Sequence, residues 1–160
     1  TEFVEAGNAH PITLISIGIV AADGREYYAE SSEFAVERCN DWVNSNVLPH
    51  LGAPELRKTR EAISKEIVDF VGNGPEFWAY YSAYDWVILS QLYGAMISRP
   101  INWPKHCLDI KQLMGNLKVR SADLPPIRGA AHNALNDARW CRDTWYFCAG
   151  IAFGHKRLGI

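Results

Sequence analysis

The sequence predicts a mixed α/β fold, on three observations. Its first stretch is rich in β-branched and aromatic residues arranged as strands. From about residue 35 onward, helical patterns alternate with short strand-like runs. One long amphipathic helix follows, from about Asn133 to Cys148. Strands first, then strands and helices in alternation, argue for a mixed sheet with helices packed on it.

Thr1 to Phe3 reads as the tail of a strand, and Gly7 to Pro11 as the loop that links it to a hairpin. The run "ITLISIGIV" supplies the hairpin's first strand, Asp23-Gly24 the reversal, and "REYYAESSEF" the second strand. Together these predict a meander of three antiparallel strands. "AVERCNDWVNSNVL" can form one helix, ended by Pro49. In "TREAISKEIVDFV", Thr59 suits an N-cap. Ala62, Ile63, Glu66, Ile67 and Phe70 track one stripe, and Gly72-Asn73-Gly74 stops the helix. "EFWAYY" (76–81) reads as a strand and "DWVILSQLYGAM" (85–96) as a helix. "HCL" reads as a short strand before a helix "IKQLM" capped by Asp109. Residues 115–129, with two glycines and two prolines, form a long loop of the kind that often carries function. In the last helix Ala134, Ala138, Cys141, Trp145 and Cys148 share a face. The order β-β-β-α-β-α-β-α is also that of the ribonuclease H-like fold, with a mixed five-stranded sheet flanked by helices.

A chain of 160 residues, 48% hydrophobic and 21% charged, fits one globular domain over residues 1–160. Its longest apolar run, Ile12 to Ala22, is too short to span a bilayer, so no membrane partner is expected. A net charge of −2 argues against a protein that coats long duplexes through many phosphate contacts. It does not argue against an enzyme that grips a few terminal nucleotides, where bound metal ions would add positive charge. Basic clusters at Arg57, Lys58 and Arg60, at Lys118 and Arg120, and at Lys156 and Arg157 read as solvated surface. Cys39, Cys107, Cys141 and Cys148 form no C-x-x-C pair, which favours reduced thiols and a cytoplasmic location.

Four residues stand out as chemistry. Asp85 lies where a strand hands over to a helix, and it reads either as an N-cap or as an acid at a strand's carboxyl end. Asp137 falls at the margin of an apolar helical stripe, where a carboxylate loses hydration and needs a compensating cation. Arg139 and Arg142 are the ordinary candidates for that cation, and a metal ion is the other. His132 precedes the same helix, and it reads either as a structural hydrogen-bonder or as an imidazole suited to deprotonation of a water. Glu2 alone would be a surface acid, but at the end of a central strand it would point into the same cleft. Oxygen-only ligands of this kind suit Mg²⁺ or Mn²⁺. Two such ions about 4 Å apart can stabilise both the attacking and the leaving oxygen in phosphodiester hydrolysis.

Glu2, then Asp85 after a strand, then His132 and Asp137 as H-x-x-x-x-D on the last helix, resemble the signature of the DEDDh 3′–5′ exonucleases. "DIKQLM" is similar to a D-[ST]-L-x-L stretch that these enzymes carry at the same point. "TEF" and "AHNALNDA" look most like a small, single-domain, polyadenylate-specific branch of that family. The likeness runs through essentially the whole chain. It departs from the family pattern at Tyr80 and Tyr81, where His-Asn or Gly-Asn often stands.

The resemblance implies a ribonuclease H-like fold and metal-dependent hydrolysis of single-stranded RNA 3′ ends to nucleoside 5′-monophosphates. It makes Glu2, Asp85 and Asp137 ligands of two Mg²⁺ or Mn²⁺ ions and His132 the general base. An aspartate immediately before Thr1 is expected to complete the metal set, on strand residues that the sequence does not include. Without it, weak metal binding and negligible turnover are expected. Glu2 and Phe3 are expected to hold the terminal nucleotide, Phe3 by stacking or by core packing. Adenylate-rich RNA, AMP as a product and a homodimer rest on the resemblance alone. A DNA 3′–5′ exonuclease, an oligoribonuclease and a non-catalytic RNA-binding module stay open as alternatives.

Overall fold

A computed structural model describes residues 1–5, 7 and 11–158, with the backbone alone at residues 96, 153 and 155–158. Most of the expected linker over Gly7–Pro11, and the side chains of Lys156 and Arg157, therefore lie outside the described residues. Strands β1 (Glu2–Val4), β2 (Thr13–Val20) and β3 (Glu26–Glu30) form the expected antiparallel meander with β2 in the middle. The β2–β3 turn closes through Gly24, at φ 90°, whose amide donates to the Ala21 carbonyl. Among the described residues, β1 pairs with β2 only as far as Glu2 opposite Ser16, and Ile17–Val20 are paired with β3 alone.

The segment 35–48 is not one helix. Asn40 stands in extended geometry and its side chain accepts the Val43 amide at 2.9 Å, which starts a separate helix α1 (Asp41–Asn46). A side-chain acceptor in mid-segment breaks the pattern that hydrophobic spacing suggested. Helix α2 (Arg60–Val71) matches its expected caps, with Thr59 accepting from the Ala62 amide and Gly72 at φ 73°. Its fully buried Ile63 and Ile67 join Leu14, Ile17, Ile88 and Trp103 in the main core. Val4 and Ile15 instead pack with Val43 and Val47 beneath α1.

β4 (Trp78–Ala79) and β5 (Leu108–Asp109) form a separate parallel pair. The described hydrogen bonding thus divides the five strands into sheets of three and two. Helix α3 spans Ser82–Gln91 and α4 spans Ile110–Leu117. Asp109 links them: one carboxylate oxygen accepts the Ser82 amide at 2.7 Å and the other accepts Gln112 at 3.0 Å. Helix α5 (Ala134–Leu158) outruns its expected end, because isolated glycines at 150 and 154 do not stop a packed helix. Among the described residues, no helix is long and apolar enough to cross a membrane.

The start of α5 lies directly on β2. A Cβ built on Gly18 would stand 2.3 Å from the Ala134 carbonyl oxygen and 2.6 Å from the Leu135 Cα. Backbone cannot yield as a side-chain tip can, so glycine is required for this approach. Gly18→Ala is expected to cost roughly 3 kcal/mol and lower the melting temperature by about 10 °C. A thermal melt within 2 °C or so of wild type would contradict that packing.

Candidate active site

The start of α5 carries the first part of the site. Asn133 accepts the Leu135 and Asn136 amides through its side chain, capping the helix. His132, one residue earlier, sits at φ 61°, a left-handed conformation that among residues other than glycine is uncommon and favours asparagine, aspartate and histidine. Asp137 follows in the first turn. Across from them Glu2 projects from β1, only 9% exposed. The Glu2 and Asp137 carboxylates and the His132 imidazole each offer a ligand atom, and these atoms all lie within 4.8 Å of one another.

Asp85 stands close enough to Glu2 and Asp137 for its charge to raise both carboxyls. It is not the N-cap of α3, which begins three residues earlier with its first amide held by Asp109. That arrangement leaves the Asp85 carboxylate to meet Thr1, whose amine donates at 2.6 Å and whose hydroxyl donates at 2.9 Å. Thr1, Asp85 and Asp137 line a cleft of about 790 Å³ between the unpaired edge of β2 and residues 77–80.

The site holds excess negative charge. Burial pushes the Glu2 carboxyl up to about 7; the Thr1 amine pulls the other way, while Asp137 and Asp85 add to the rise. Asp137 is also raised, chiefly by burial, with partial relief from Glu2, the Thr1 amine and His132. The arginines that the sequence offered to Asp137 are engaged elsewhere. Arg139 forks onto Glu26 at 2.7 and 2.8 Å and bonds Asn136, while Arg142 pairs with Asp143. Two half-buried or buried carboxyls facing an imidazole, with a third acid nearby, fit an oxygen-preferring divalent cation. The sequence reading kept His132 out of the ligand set, but its geometry is compatible with either role.

These shifts predict how stability depends on pH. The folded Glu2 carboxyl titrates above its unfolded value of 4.5, so the folded state binds more protons between that value and about 7. Stability without metal should therefore fall as pH rises through that window and level off above it, by a few kcal/mol in all. Urea melts in chelator at pH 5 to 8 would show this slope, and Glu2→Gln should flatten it. A wild-type slope no steeper than that of the variant would contradict the buried pair.

Phe3 does not stand alone. Its ring stacks on Tyr84, centroids 5.4 Å apart and 8° from parallel. Tyr84 is 45% exposed and adjoins Asp85 in sequence, a proximity that could have flagged it. Gly18 was also open to detection, since a glycine inside a β-branched run marks a close backbone approach. The clusters read as surface charge are partly structural: Lys58 pairs with Glu66 at 2.7 Å, and Arg60 donates to the Gln91 carbonyl. All four cysteines are free thiols.

Residues 1–149 match the model of the 3′–5′ exoribonuclease Rv2179c-like domain. Two curated relatives from Mycobacterium tuberculosis are each 42% identical over 145 residues. They are 3′–5′ exoribonuclease Rv2179c of strain ATCC 25618 / H37Rv and 3′–5′ exoribonuclease MT2234.1 of strain CDC 1551 / Oshkosh. The alignments cover 87% of this chain and 84% of each relative.

Proposed function

The chain belongs to the Rv2179c-like 3′–5′ exoribonuclease domain family, and from that premise we propose that it removes nucleotides from RNA 3′ ends in a divalent-metal-dependent reaction. The observation that carries this reading is the convergence of Glu2, His132 and Asp137 within 4.8 Å, beside a cleft lined by Asp85. Glu2, Asp85 and Asp137, with an aspartate immediately before Thr1 in the full-length protein, would hold two Mg²⁺ or Mn²⁺ ions. When bound, the ions would supply charge stabilisation for the phosphate in hydrolysis. His132 accepts the proton of the attacking water. Attack at phosphorus breaks the bond to the 3′ oxygen; that oxygen takes a proton from solvent and becomes the new 3′ hydroxyl, and a nucleoside 5′-monophosphate is released. Phe3, backed by Tyr84, supports the terminal base, because every base offers a face for stacking.

The same proposal extends to the fold. Residues preceding Glu2, continued in register, would run opposite Ile17–Val20 and into the cleft beside 77–80. A strand there would join the three- and two-stranded sheets into one mixed, five-stranded, ribonuclease H-like sheet. It would also turn the Thr1 amine into a neutral amide, freeing Asp85 for a cation. Single-stranded adenylate-rich RNA as substrate, AMP as product and a homodimer complete the proposal and rest on the family resemblance, while a cytoplasmic location rests on cysteines that form no C-x-x-C pair.

The test uses full-length protein and labelled single-stranded oligomers of matched length: adenylate-tailed RNA, other RNA and DNA. Adenylate-tailed RNA should shorten fastest and release AMP. Equal rates on RNA and DNA would overturn the RNA assignment, and equal rates on all RNAs the adenylate preference.

A further inference from the structure

We propose that Trp42 is a positioning residue that holds the His132 imidazole against the acids. This inference rests on the reading of His132 as the base. The two rings meet at 4.7 Å between centroids, 79° apart, in an edge-on contact. The same imidazole offers a ring nitrogen within 4.8 Å of a carboxylate oxygen of Glu2 and of Asp137, so the ring meets both an indole and two carboxyls.

Core packing does not account for Trp42. Helix α1 turns Val43 into the core, with Val47 just beyond its end, whereas Trp42 is 51% exposed. The short helix is nevertheless fixed at both ends of its turn. Asn40 caps it, and the Asn46 side chain donates to the Trp42 carbonyl at 2.8 Å. His132 needs such support. It occupies a left-handed backbone position at the end of a long loop, and rotation about its side-chain bonds would swing the imidazole away from the reacting water. A wide, rigid indole closes that escape at little entropic cost, because tryptophan has few rotatable bonds.

The experiment compares Trp42→Ala, Trp42→Leu, Trp42→Phe, His132→Ala and the Trp42→Ala/His132→Ala double variant in the full-length protein on one RNA. Trp42→Ala and Trp42→Leu should lower kcat about 10- to 100-fold with little change in KM, and Trp42→Phe should recover most of it. In the His132→Ala background, Trp42→Ala should cost nothing more, since the tryptophan acts only through the imidazole. The His132 ring-proton resonances should shift in the Trp42→Ala variant without RNA or metal, while the thermal melt stays near wild type.

Wild-type kcat in Trp42→Ala and Trp42→Leu, beside an impaired His132→Ala, overturns this inference alone. A KM effect of equal size in both backgrounds also overturns it, because the indole would then be stacking on RNA. Full activity in His132→Ala removes the assigned base and the inference with it.

Discussion

Asp137→Ala is expected to lower RNA hydrolysis on the order of 10³-fold, about 4 kcal/mol of barrier, while the protein stays folded. The expectation follows from what surrounds this carboxylate. It is raised by burial and faces Glu2, and both nearby arginines are committed to Glu26, Asn136 and Asp143. A carboxylate in such a place destabilises the metal-free fold, so its removal should not lower the melting temperature in chelator appreciably. If Asp137 is the proposed ligand, the variant should also gain less stabilisation from added Mg²⁺ or Mn²⁺ than the wild-type protein does. A large drop in the metal-free melting temperature would instead make Asp137 a structural residue. Activity within tenfold of wild type would remove it from the catalytic set.

His132→Ala is expected to reduce turnover by roughly 10²- to 10⁴-fold, the usual contribution of a positioned general base. Its companion measurement separates two roles that the geometry allows. A base that is not a ligand leaves metal-induced stabilisation in place, so the rise in melting temperature with Mg²⁺ or Mn²⁺ should match wild type. Loss of that rise would make His132 a metal ligand. Wild-type turnover in this variant would exclude it as the base.

Local chemistry was legible in the sequence; long-range pairing was not. Thr59 and Asp109 were readable as caps because their partners lie three residues away. The meander followed from a β-branched run and Asp23-Gly24, and the five-residue separation of His132 and Asp137 placed one on a loop and the other in a first helical turn. The start of α3 was missed because the acceptor for Ser82 comes from Asp109, 27 residues later. Periodicity does not report such a partner, and with the amide so engaged Asp85 is no cap. Asn40 misled for the opposite reason, as a strong local acceptor set inside a plausible apolar stripe. The compensation of Asp137 was undecidable from one helix, since Arg139 turns to Glu26, on a strand distant in sequence. Trp42 carried no signal at all: its contact with His132 exists only once α1 and the start of α5 are brought together.

The most direct measurement incubates full-length protein with 5′-end-labelled single-stranded RNA, with Mg²⁺ or Mn²⁺ and with chelator. The proposed chemistry predicts a ladder that shortens one nucleotide at a time from the 3′ end, only when the divalent ion is present. Undiminished shortening in chelator, internal cleavage products, or binding without any product would contradict it.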